Sequence, residues 1–337
     1  MRTRELGIRI GSLEPGSLDA ITDVDGLRVG HTTLVEGDDV RTGVTIVVPP
    51  ELPCFAAPFR LNGNGEMTGL EWVRESGLLT TVVGITNTHS VGVVRDAIVA
   101  AAIGDGTDRW HLPVVAETFD GRLNDIDGMH VTREHVFAAL ASASGGPVAE
   151  GSVGGGTGMI CHGFKGGIGT ASRVADGWTV GVLVQANHGR RSRFEVNGVP
   201  VGREVEAPLP GGPDGEGSII VLVATDAPLL PHQCERLAAR AALGIGRLGG
   251  AGENSSGDLV LAFATGNRGL ESDEPVALRM LPNGAMDGLF YATIEATEEA
   301  ILNTLLAAET MTGKGGFTVH RLDPEALVAS LRSHGRL

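Results

Sequence analysis

Gly249-Gly250-Ala251-Gly252-Glu253-Asn254-Ser255-Ser256-Gly257-Asp258, running straight into the apolar stretch Leu259 to Ala264, is the part of this sequence on which its reading turns. Glycines at three of the first six positions let the backbone take conformations closed to other residues. The segment delivers a serine to the mouth of a buried strand. Rearrangement of a peptide bond needs a permissive, strained backbone beside a nucleophile, so the pattern suits a chain that cuts itself before Ser256. The serine would then become an N-terminus, whose α-amine titrates near 7.7–8.0 in an unperturbed peptide and can take the proton from its own hydroxyl. A flexible surface loop between a helix and a strand would have the same composition.

Outward from that stretch the chain alternates apolar runs with helix-like segments. Gly43 to Val48, Leu79 to Ile85, Trp178 to Val184, Ser218 to Ala224 and Asp258 to Ala264 read as strands, several of them apolar on both faces. Val93 to Ala102, Arg133 to Ala143, His232 to Leu243 and Thr297 to Thr310 read as helices. In the last, Ile301, Leu302, Leu305 and Leu306 make one face, Thr297 is the expected N-cap, and Glu298 and Glu299 fall in the first turn. Glu299 is expected to face solvent. The pattern predicts an α/β or α+β protein with covered sheets. The 51 glycines are spread through all 337 residues and mark no linker, so one domain over 1–337 is expected.

Other motifs narrow the chemistry by exclusion. Gly244-Ile245-Gly246-Arg247-Leu248-Gly249 matches a dinucleotide fingerprint but follows a helix-like segment where a strand is required. The run Gly154 to Gly158 lacks the Lys-Ser/Thr of a phosphate-binding loop, leaving close packing or a cleft wall as its role. A non-catalytic nucleotide-binding protein is the alternative of a different class. Asp23-Val24-Asp25-Gly26 and Asp125-Ile126-Asp127-Gly128 lack the remaining ligands of a calcium loop. Cys54, Cys161 and Cys234 are too few and too dispersed for a disulfide framework or a thiolate metal site. No metal or organic cofactor is expected. A net charge of -15 argues against nucleic acid or an anionic membrane surface as partner. Without an apolar stretch of about 18 residues or a signal-like start, a cytoplasmic location is expected.

A series of segments in one order resembles the L-aminopeptidase/D-esterase family, which includes β-aminopeptidases and is related to N-terminal-nucleophile hydrolases. These are Arg41 to Thr45, Val115 to Thr118 with Leu123-Asn124-Asp125, Gly154 to Met159, Phe164 to Thr170, Val184 to Gly189, Ala224 to Leu229 and Ala296 to Ile301. The resemblance spans roughly residues 15 to 335. It implies two packed β-sheets between helical layers, a four-layer αββα sandwich, and a cut between Ser255 and Ser256 into fragments 1–255 and 256–337. A register shift would put the cut at Asn254-Ser255. It further implies Ser256 as nucleophile, Glu298 as the acid that positions the new ammonium, and a homo-oligomer, often of four such pairs. Two positions depart from the family pattern. Ala296 stands where some members carry a serine, and His162 where some carry an active-site tyrosine. His162 is either a hydrogen-bond donor to substrate or a structural histidine.

An acyl-transfer enzyme must hold an oxyanion. Asn187, at the end of an apolar run, is the candidate donor, with an ordinary turn residue as the alternative. Recognition of a substrate ammonium calls for a carboxylate. Asp226, at a strand end, is the first candidate, and Glu117 and Glu66 follow. The expected function is a self-cleaving serine aminopeptidase acting on short peptides, amides or esters. A hydrolase of non-peptide or cyclic amides on the same scaffold is the nearest alternative.

Overall fold

In the run Ser218–Thr225, Ile220, Leu222 and Ala224 turn to one face and Ile219, Val221 and Val223 to the other, and all six are buried. A strand with no polar face must be covered twice, and the computed structural model, which describes residues 1–103, 110–211 and 217–337, supplies both covers. Strands β1 (Arg28–Glu36), β2 (Val40–Val48), β5 (Val83–Asn87) and β6 (Val114–Thr118) form a four-stranded sheet in the order β1-β2-β5-β6. A six-stranded sheet comprises β3 (Cys54–Gly63), β4 (Leu78–Leu79), β9 (Gly167–Ala175), β10 (Trp178–Asn187), β11 (Ser218–Thr225) and β12 (Gly257–Ala264), in the order β4-β3-β12-β11-β10-β9. A short hairpin, β7 (Ile160–Cys161) and β8 (Phe164–Lys165), lies beside it.

The even face of β11 meets Val29, Val47, Ile85 and Ala116 of the four-stranded sheet in one core. Its odd face packs with Leu237 and Ala241 of helix α5 (Pro231–Arg247) and Ile301 and Leu305 of α6 (Asp287–Ala307) in another. On the far side, Leu34, Val44 and Ile46 pack with Val94 and Ile98 of α2 (Val91–Ala102) and Val136 of α3 (Arg133–Ser142). Helix, sheet, sheet, helix is the four-layer αββα order. The shorter α1 (Leu70–Ser76), α4 (Val201–Glu204) and α7 (Pro324–Ser333) complete the helices. Gly169 lets α6 lie against β9: a Cβ there would sit 2.0 Å from the Ala300 carbonyl oxygen.

Three expectations fail. Leu79 to Ile85 is not one strand: the chain leaves the six-stranded sheet after β4, where Cys54 pairs with Leu79, and enters the other as β5, where Thr45 pairs with Ile85. The last long helix starts ten residues before Thr297. Thr297 does not cap it, because its hydroxyl donates to the Thr293 carbonyl at 2.7 Å, as Thr293 does to Leu289 at 2.8 Å and Thr304 to Ala300 at 3.0 Å. Glu298 and Glu299 are therefore mid-helix. Glu299, expected in solvent, is fully buried and ion-paired to Arg173 of β9 and Arg4. A lone arginine in the otherwise uncharged run Gly167–Ala175 was the sequence signal for that network.

The connectivity gathers particular strand ends. β11 and β12 are parallel, with Ser218 beside Gly257; β10 is antiparallel, with Asn187 beside Ser218; β3 is antiparallel, with Gly63 beside Gly257. Asn187, Ser218, Ser256 and the end of β3 thus share one edge of the sheet.

Candidate active site

Ser256 stands one residue before β12 and is 2% exposed. The approach bends at Gly249 (φ +90°) and Gly252 (φ +62°), conformations that favour glycine. A turn closes from the Ser256 N–H to the Glu253 carbonyl at 2.8 Å. The Ser256 hydroxyl donates to Asp258 Oδ1 at 2.5 Å. Burial raises the Asp258 carboxyl to about 6, against the opposing pull of that hydroxyl. A carboxylate poised there can accept the serine proton at neutral pH.

Ser255, the residue before, lines a cleft of about 550 Å³ with Asn64, Glu66, Glu117, Asn187 and Ser218. Glu117 comes from the buried β6. Its Oε1 accepts the Glu66 N–H at 2.9 Å, its Oε2 accepts the Thr88 hydroxyl, and burial raises its pKa. Asn187 is pinned by its Oδ1, which accepts the Ile160 N–H at 2.7 Å, and by its Nδ2, which donates to the Phe119 carbonyl at 2.9 Å. A carboxamide nitrogen carries two hydrogens, and that bond uses one.

Asp226 is not part of this constellation. It follows β11 at the opposite end of the sheet, roughly 25 Å from Ser218 at about 3.3 Å per residue, and accepts the Thr179 N–H at 2.8 Å. A substrate amine held near Ser256 cannot reach it. His162 is fully buried and stacks on Phe194, centroids 4.9 Å apart, while its neighbours Ile160 and Gly163 line the cleft. Burial lowers it to about 4. His162, His188 and Cys161 offer ligand atoms within 4.8 Å of one another, but burial raises the Cys161 thiol to about 12, against the thiolate that a metal needs. The three cysteines are free and buried. The two glycine motifs also find packing roles: Gly244 to Arg247 ends a helix, and a Cβ on Gly155 would sit 2.2 Å from Gln185 Oε1.

Glu298 is 1% exposed and bonds the Arg247 Nε. Burial raises its pKa and Arg247 opposes the rise. Arg247 ends α5, at the root of the glycine approach, so Glu298 anchors the segment leading to Ser256 while standing outside the cleft lining.

Sequence reasoning did not single out Asp258, Thr88, Asn62 or Asn64 as site residues. Asp258 was visible in the Ser-Gly-Asp triplet. The two asparagines, in Asn62-Gly63-Asn64-Gly65, sit more than 190 residues from their partners.

A model of peptidase family S58 matches residues 19–319. The chain is 47% identical to the beta-peptidyl aminopeptidase BapA of Sphingosinicella microcystinivorans, over 100% of this chain and 93% of the relative. It is 43% identical to that of Sphingosinicella xenopeptidilytica, over 98% and 91%. Among solved structures it superposes on a Burkholderia sp. beta-aminopeptidase with TM-score 0.94 at 54% identity, covering 99% of each chain. It also superposes, with TM-score 0.92 at 42% identity over 100% of this chain and 99% of the other, on an L-aminopeptidase D-Ala-esterase/amidase from Ochrobactrum anthropi, described as a prototype serine aminopeptidase and a variant of the Ntn hydrolase fold.

Proposed function

The chain belongs to peptidase family S58 and is a serine-type aminopeptidase, and from that premise we propose that it matures by cutting itself between Ser255 and Ser256. The proposal rests on one observation: the buried Ser256 hydroxyl donates to Asp258 at 2.5 Å while Ser255, whose carbonyl precedes it, lines the cleft. The hydroxyl attacks that carbonyl carbon as Asp258 takes the proton. The C–N bond breaks, the proton passes to the leaving nitrogen, and water hydrolyses the resulting ester. The freed α-amine of Ser256 then serves as base for turnover, in which substrate acylates the hydroxyl and water releases the acyl group.

Glu117 is the charge that receives the substrate ammonium, with Glu66 beside it at the cleft wall, and Asn187 directs its second N–H to the acyl oxygen. Glu298 acts through Arg247 as a positioning residue for the approach to Ser256. The names of the relatives support short peptides with an N-terminal β-amino acid as substrates. Leu243 of α5 and Tyr291 of α6, both more than half exposed on the outer helical layer, support assembly of cleaved pairs into a homo-oligomer. Among the described residues no helix is long and apolar enough to cross a membrane.

Intact-mass analysis of purified protein is expected to show fragments 1–255 and 256–337, and Edman degradation of the smaller to read Ser-Gly-Asp-Leu-Val. A persistent single chain with full activity would overturn the mechanism.

Glu117→Gln keeps the shape of the ammonium site and removes its charge. A hydrogen bond to a charged group contributes about 1.5–3 kcal/mol, so kcat/KM for a free-amine peptide is expected to fall about 10- to 100-fold, and discrimination against the N-acetylated peptide to narrow. Unchanged discrimination would exclude Glu117 from amine recognition.

A further inference from the structure

Residues Asp120 to Asn124 form a turn just past the end of β6, and it is tied down on both flanks. The Leu123 and Asn124 N–H groups donate to the Asp120 carbonyl, each at 3.0 Å, and Asn124 Nδ2 donates to Asp120 Oδ1 at 3.1 Å. Asn124 Oδ1 in turn accepts the Arg41 N–H of β2 at 3.0 Å. Asp120, Leu123 and Asn124 are buried, while Arg122, between them, lines the cleft. Its Nη1 donates to the Gly211 carbonyl at 2.7 Å. That bond fixes the guanidinium and leaves its charge in place, since a carbonyl oxygen carries no full charge to cancel it. The other charged groups of the described lining, Glu66 and Glu117, are carboxylates. In chain order an acid, Glu117, precedes the Phe119 carbonyl that holds Asn187, and a cation, Arg122, follows it.

We propose that Arg122 receives the C-terminal carboxylate of a dipeptide substrate, so that the cleft reads both ends of a zwitterion. The inference rests on Glu117 as the ammonium site. An extended dipeptide spans about 7 Å between its ends, short enough for one cleft of about 550 Å³ to hold both termini. With the amine at Glu117 and the scissile carbonyl at Asn187, the second residue of the dipeptide runs towards Arg122. A guanidinium matches a carboxylate in shape as well as charge, through two parallel N–H···O bonds. A C-terminal amide presents a neutral group at the same place and loses that match. No bond is made or broken at Arg122; its part is to select the substrate.

The test compares kcat/KM of wild type, Arg122→Gln and Arg122→Lys on β-alanyl-alanine and on the same dipeptide amidated at its C-terminus. Wild type is expected to prefer the acid about tenfold, the lower end of the range for a bond between charged groups, because the cleft rim is open to water. Raised ionic strength is expected to shrink that preference. In Arg122→Gln the acid-to-amide ratio is expected to fall close to unity, and Arg122→Lys, which keeps the charge without the planar fork, to lie between. The ratio is taken within each protein, so a general loss of activity from a disturbed turn cancels. A wild-type ratio within about twofold of unity overturns the proposal, as does a ratio that survives in Arg122→Gln. A third substrate, β-alanyl-aspartate amidated at its α-carboxyl, separates a terminal from a side-chain carboxylate: turnover equal to that of the dipeptide acid overturns the assignment to the terminus. Acid and amide both carry the amine, so a failure of the Glu117 reading is seen separately, as unchanged discrimination against the N-acetylated dipeptide in Glu117→Gln.

Discussion

Ser256→Ala is expected to yield a folded, uncut chain without peptidase activity. The substitution removes the hydroxyl proposed to attack the Ser255 carbonyl, which is also the proposed nucleophile for substrate. Turnover should drop by on the order of 10⁶-fold, the scale seen when a serine nucleophile is removed. Folding should be preserved, because the lost hydroxyl makes one side-chain hydrogen bond, to Asp258 at the start of β12, and the pairing of β12 with β11 is made by the main chain. Ser255→Ala is the control for register: Ser255 supplies the reaction only its carbonyl, so that variant should still cut and still turn over. A wild-type cleavage rate in Ser256→Ala, or loss of cleavage in Ser255→Ala with Ser256 intact, would move the nucleophile one residue.

Asp258→Asn carries the second large effect. The carboxamide oxygen can still accept the Ser256 hydroxyl but cannot keep its proton, so cleavage is expected to slow by about 10²–10⁴-fold, the range of a lost general base. The wild-type pH profile should follow the same group. Burial raises the Asp258 carboxyl to about 6; above that pH it is ionised and can take the proton, below it the group is already protonated. The cleavage rate should therefore be flat above about pH 7 and fall about tenfold per unit well below 6. Mature enzyme should respond differently, since its proposed base is the α-amine of Ser256. Cleavage that is insensitive to pH between 4.5 and 7.5, or unslowed in Asp258→Asn, would remove Asp258 from the mechanism.

The glycine-rich approach and the strand it feeds were legible because a doubly apolar run must be a covered strand, and the family resemblance supplied the layer order. What the sequence could not yield was which end of a strand meets which. Asn187 and Asp226 both read as residues ending apolar runs. Only the antiparallel pairing of β10 with β11 sets Asn187 beside Ser218 and sends Asp226 to the far edge. Glu299 was misjudged for a related reason. Its helix is buried nearly all round, so the charge finds its partner on a strand over a hundred residues away, and no periodicity marks such a helix as having an outside. The start of that helix was missed because threonine can cap a helix or bond back along it, and three of them here do the latter. Asn64 was invisible as a site residue because its hydrogen bonds reach Ser255 and Ser256, far along the chain.

β12 lies between β3 and β11 in the middle of its sheet, and it begins one residue after Ser256. A cut at that point hands a central strand, together with α6, to the shorter fragment. The uncut chain finds its structure as one molecule, by a first-order process with the strand tethered to its neighbours. Once cut, the same strand can return only by encounter with a separate chain, a second-order process in which the larger fragment presents an open gap in its sheet. The proposed maturation would therefore act as a ratchet: the chain would fold while whole, and the cut enzyme would depend on never fully letting go.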